Sequence, residues 1–139
     1  YGILKPLDGV VPYRLEIQSK FINYKNKDLY EYWADKIANS LFEETNLIIN
    51  LASKEYSKCV EKYLKNSPGT KFITCVFGEI KGDKVIEKGT LAKMARGEMV
   101  RYLAQNNVCD LEGLKRFDKL GYKYSQEKSN ENTYVFIKS

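Results

Sequence analysis

Lys93, Arg96 and Arg101 lie within TLAKMARGEMVRYLAQNN, residues 90–107, at intervals that gather them on one side of a helix. Fixed cations neutralise phosphate oxygens, and a guanidinium can do so with two parallel hydrogen bonds. Glu98 is the only acid beside them, so an anionic partner such as a phosphate backbone fits. A solvated surface on a basic domain is the plainer reading of the same residues. Arg14, in PYRLEI, is an isolated cation whose ordinary role is a surface ion pair. A second constellation, Ser53, Glu55 and Tyr56, follows directly on the uncharged run TNLIINL. Sites collect at the carboxyl ends of buried strands in α/β folds, and an ordinary strand-to-helix connection explains these residues equally well.

Composition narrows the chemistry further. The chain has no histidine, which removes the commonest general base, the commonest nitrogen ligand for metals and every Ser-His or Cys-His nucleophile arrangement. Cys59, Cys75 and Cys109 are too few and too dispersed for a disulfide framework or a CxxC site, and a reducing cytosol suits them. No carboxylate cluster has metal-site spacing, so neither a metal nor a cofactor is expected, and direct iron sequestration by these residues is disfavoured. No stretch approaches the roughly 20 apolar residues of a membrane span, so a cytoplasmic location without membrane contact is expected. The net charge of +5 leans toward a polyanion without requiring one. The 139 residues suit a single domain over 1–139, and eleven tyrosines, six phenylalanines and one tryptophan supply a core. Opening on Tyr1 without methionine, straight into a patterned segment, is what a fragment or a processed product would show.

The elements that must position these side chains are legible from periodicity. In residues 90–107, placing side chains at about 100° intervals puts Leu91, Ala95, Met99, Tyr102 and Leu103 on the core side of a helix, with Thr90 as its N-cap. Gly97 weakens that helix by about 1 kcal/mol relative to alanine and leaves its backbone open to close approach. KDLYEYWADKIANSLFEE reads as one helix with Asp28 and Glu31 at capping-box spacing and a stripe of Leu29, Tyr32, Trp33, Ile37 and Leu41. Tyr13 to Ile17 reads as a short strand after a turn, Lys20 to Lys27 as a loop, and Thr45 to Leu51 as a strand covered on both faces, with Ser53 able to cap the helical turn that follows. Lys71 to Ile80 and Lys84 to Ile86 form a hairpin around Gly82-Asp83. A short amphipathic turn or helix over Asp110 to Phe117 exposes Lys115 and Arg116, and Gly121 to Tyr124 and Thr133 to Ser139 supply closing strands around a polar loop. The fold class is therefore mixed α/β, a mixed sheet with flanking helices.

Six segments in order, YGILKPLD, PYRLEI, DLYEYW, INLASKEY, AKMARGEMVR and LGY, closely resemble the bacterial YaaA peroxide-stress family, over nearly the whole chain. The family's N-terminal portion has no counterpart here, so the chain is expected to be a C-terminal portion of a longer protein. The resemblance implies an unusual fold with a helix-hairpin-helix element, and a cytoplasmic protein that limits iron-driven damage under peroxide stress. It also implies binding of double-stranded DNA in a positively charged cleft. Its AK-x-ARG pattern falls on Ala92, Lys93, Ala95, Arg96 and Gly97. Lys93, Arg96 and Arg101 would then neutralise phosphates, with Lys5 and Arg14 as lesser contributors and no base-edge readout. About three contacts would give a salt slope near −3, with Arg96→Ala removing about one. The competing expectation is an enzyme on a phosphorylated or nucleotide substrate, using Ser53, Glu55 and Tyr56 with Arg14, Lys93 and Arg96 as electrostatic stabilisers.

Overall fold

The structure is a computed structural model, in which residues 2–12, 16–17 and 28–139 are described. Contacts divide the chain into two compact units: the described residues of Tyr1–Ile48 together with Ala52–Lys71, and Ile49–Leu51 together with Phe72–Ser139.

In the first unit Asp28 caps α1 (Leu29–Trp33) by accepting the Glu31 backbone N–H at 2.8 Å, as the capping-box spacing predicts. The single helix expected from Asp28 onward is in fact two. Ala34 takes φ +45° and ends α1, and α2 (Lys36–Glu44) starts afresh behind Asp35. No glycine or proline marks the break, and the apolar stripe continues across it, so periodicity could not reveal it. Trp33 is half-buried, meets Tyr32 edge-on at 5.2 Å, and packs so closely on Gly2 that a Cβ there would lie 3.0 Å from the indole. Helix α2 packs on α3 (Lys54–Glu61), and the Tyr30 hydroxyl donates to the Glu55 carbonyl at 2.6 Å. The expected strand at Tyr13 to Ile17 lies outside the described residues except for Glu16 and Ile17, which are not in a strand, and so does the loop over Lys20 to Lys27.

The sheet comprises β1 (Leu47–Asn50), β2 (Lys71–Lys81), β3 (Lys84–Ile86), β4 (Tyr122–Tyr124) and β5 (Thr133–Lys138), in the order β1-β2-β5-β4 with β3 against β2. Strand β1 is shorter than expected and its first three residues are only half-buried; Asn50 is buried and donates to the Thr74 hydroxyl at 3.2 Å. The hairpin forms as predicted, with Lys81 opposite Lys84 and Gly82 at φ +60°, a conformation that favours glycine. Strand β5 runs parallel to β2, with Cys75 opposite Tyr134 and Phe77 opposite Phe136, and antiparallel to β4. A parallel pair needs a crossover, and α4 (Gly89–Gln105) and α5 (Leu111–Lys115) lie in it.

One side of the sheet is closed by aromatic packing. Phe77 stacks on Phe136 at 5.1 Å, Phe117 stands edge-on to both, and Tyr102 from α4 meets Phe117 at 5.5 Å. These rings anchor α4 and α5 to the strands. Asp110 starts α5 by accepting the Gly113 N–H at 2.5 Å, and the polar loop before β5 is held by Ser129, whose hydroxyl donates to the Ser125 carbonyl and accepts the Val135 N–H. Lys115, expected to be exposed, instead bonds Glu112 at 2.7 Å and lies over the rings of Tyr124 and Tyr134. Its long apolar stem can cover aromatic surface while the ammonium stays charged, which a charge pattern alone does not show. Arg116 is exposed.

Candidate nucleic-acid interface

Helix α4 is longer at its start than its capping signal implied. Lys88 occupies the N-cap position without a side-chain cap, so Thr90 lies inside the first turn. The far end stops in a Schellman arrangement: the Asn107 N–H donates to the Ala104 carbonyl at 3.4 Å and the Val108 N–H to the Leu103 carbonyl at 3.0 Å. Asn107, at φ +47°, takes the place usually given to glycine. Between these ends Ala92, Ala95 and Met99 are buried, while Leu91, Tyr102 and Leu103 are half-buried, so the predicted inner face is the actual one.

The outer face carries Lys93, Met94, Gly97, Val100 and Arg101, all exposed. Lys93 makes no ion pair among the described residues. Arg101 is 66% exposed, and its contact with Glu98 is long, 3.7 Å. Lys93 and Arg101 stand eight residues apart, roughly 12 Å along the axis at the α-helical rise of about 1.5 Å per residue. Gly97 lies between them, and a Cβ placed on it would meet nothing within 4 Å. The face is thus two cations flanking a stretch of bare backbone.

Arg96 stands apart from them. Its side chain is only 19% exposed and is bonded at 3.0 Å to Glu87, whose carboxylate also accepts the Phe77 N–H at 3.4 Å. The Arg96 Nε is buried and has no hydrogen-bond partner among the described residues. Glu87 lies nine residues before Arg96 and outside the helix, so helical spacing could not reveal the pair; it follows from the hairpin returning beside the helix start. Lys88, at the head of α4, is bridged to Glu79 at 2.6 Å. Lys5 is exposed and belongs to the first unit, and Arg14 lies outside the described residues.

The second constellation also sits in the first unit. Ser53 holds the N-cap position of α3, but its hydroxyl donates to the Glu55 carboxylate at 3.3 Å and caps no backbone N–H, and Tyr56 is exposed. Burial, and then the negative potential of Cys59, Glu55, Asp28 and Tyr56, push the Tyr30 phenol up from its ordinary value. A groove of about 400 Å³ is lined by Asp28, Tyr30, Glu31, Ala34, Lys62 and Tyr63, and no motif pointed to it. Among the described residues no three His, Cys, Asp or Glu side chains gather as metal ligands, and no helix is long and apolar enough to cross a membrane.

Comparison with known proteins supplies the family. The chain is 56% identical over 138 residues to a UPF0246 protein of Lachnoclostridium phytofermentans, covering 99% of this chain and 53% of that one. It is 52% identical over its full length to a UPF0246 protein of Desulfitobacterium hafniense, and 54% identical over 98% of its length to one of Agathobacter rectalis, covering 55% and 54% of those proteins. The chain therefore spans about half the length of the relatives it matches. A family model described as "Peroxide stress protein YaaA" matches residues 1–128. With that match over most of its length, the chain belongs to the YaaA peroxide-stress family.

Proposed function

We propose that this protein binds duplex DNA without sequence preference, as part of a peroxide-stress role that limits iron-driven damage in the bacterial cytoplasm, and that the outer face of α4 makes the contact. One observation carries the reading: Lys93 and Arg101 flank Gly97 on a solvent-facing surface where no side chain obstructs the backbone. Phosphates along one strand recur at about 3.4 Å of axial rise, so a roughly 12 Å separation lets the two cations meet different phosphates of the same strand. Contacts from Lys93 and Arg101 to phosphates carry no sequence information, so in this reading affinity comes from counterion release.

Arg96 enters this reading as a support, because its side chain is mostly buried and already bonded to Glu87. Two contacts rather than three then set the salt dependence, and log affinity falls against log salt with a slope of about −2. Titrating this chain with duplex DNA at several salt concentrations tests it. Lys93→Ala and Arg101→Ala should each reduce the slope by about one. Affinity that ignores salt, or that survives the double substitution, rejects the reading.

A further inference from the structure

The segment from Gly2 to Pro12 presents its apolar residues outward. Leu7 is 99% exposed and Val10 55%, with Ile3 and Leu4 also exposed, and the segment contains no helix or strand. Leu7 is not on a loose tail. The Asp8 N–H donates to the Lys5 carbonyl at 3.0 Å, closing a β-turn, and the Asp8 carboxylate accepts the Lys5 N–H at 2.7 Å. Pro6 occupies the second position of that turn, where its fixed φ is already correct. Two reciprocal hydrogen bonds and a proline therefore hold a fully exposed leucine at a turn tip. A rigid apolar anchor of this kind binds with little further loss of conformational entropy. Clustered aliphatic side chains on a soluble surface mark an interaction site.

The relatives indicate an occupant. The matched region is only 53–55% of their length, so they carry almost as much polypeptide again outside it. We propose that the Lys5–Asp8 turn is an internal docking element, with Leu7 and Val10 inserted into the part of the protein that the relatives possess beyond the matched half. The turn needs no rearrangement to do this, because its backbone bonds are already satisfied locally. The contact is independent of the DNA reading of α4.

Hydrogen exchange followed by mass spectrometry on two proteins tests the proposal: this 139-residue chain, and the full-length relative from Lachnoclostridium phytofermentans. Amides across residues 3–11 should exchange fast in the short chain, the turn-bonded pair excepted, and slowly over the matching stretch of the relative. Equal exchange in the two proteins overturns the proposal. So does protection in the short chain that grows with protein concentration, since a second copy would then be the occupant. Joining this chain to the relative's unmatched half gives a second readout: Leu7→Ser should lower the unfolding midpoint of the joined protein by roughly 5–10 °C and leave that of the short chain unchanged. An equal midpoint shift in both proteins also refutes the docking.

Discussion

Arg96 illustrates how a residue's identity and its role separate. By type and spacing it belongs with Lys93 and Arg101, yet it is mostly buried against Glu87. Truncating it removes the packing of its buried stem and an ion pair to an exposed carboxylate, so Arg96→Ala should destabilise the protein by about 1 kcal/mol, measured by denaturant titration, while the salt slope of the proposed DNA binding stays unchanged. Gly97 invites the opposite experiment. Its Cβ position is open, so Gly97→Ala should stabilise α4 by up to about 1 kcal/mol and weaken the proposed DNA binding, in which the backbone approaches a phosphate. Cysteine reactivity also follows from position: Cys109 is exposed, Cys59 and Cys75 are buried, and burial pushes both of the latter thiols up, Cys75 to about 12. A thiol reagent at pH 8 should therefore modify one cysteine quickly and the other two only on unfolding.

At the scale of elements, the hairpin and its turn were readable because glycine at positive φ and alternating apolar residues are local signals. The break between α1 and α2 was not, since nothing in WADK distinguishes a helix interior from a reversal. An alanine held at φ +45° with ψ −124° sits in a sparsely populated region that glycine enters freely. Ala34→Gly should accordingly raise stability by about 1 kcal/mol, whereas Ala34→Val should lower it by more, each read from the unfolding midpoint. The same logic explains how α4 ends: Asn107 supplies the left-handed residue at a position where glycine is commonest in helices generally, and asparagine is the non-glycine residue best able to do so.

At the scale of the molecule, two compact units divide the chemistry, with the cationic helix in one and Ser53, Glu55 and Tyr56 in the other. The aromatic cluster makes the sheet unit sensitive to alkali. Burial raises the Cys75 thiol from its ordinary 9.0 to about 12, and burial, with Glu79 and Glu87, raises the Tyr122 phenol. Both groups are neutral when protonated, so the folded state holds these protons more tightly than the unfolded state does. Their contribution is complete below about pH 9 and is lost as pH climbs toward 12; for Cys75 alone it is on the order of 4 kcal/mol. Denaturant midpoints should fall steadily over that range, and Cys75→Ala should flatten the fall.

Local periodicity, turn chemistry and ordered motifs are enough for the class of fold, the inner face of α4, the hairpin and the family. The composition shows that no histidine stands among these 139 residues. Which cations are tied up in pairs emerges only from the folded chain. The pairing of Arg96 with Glu87 and the resting of Lys115 on Tyr124 and Tyr134 join residues from different elements. An ion pair depends on distance and burial in space, and neither is written in the spacing of residues along one helix.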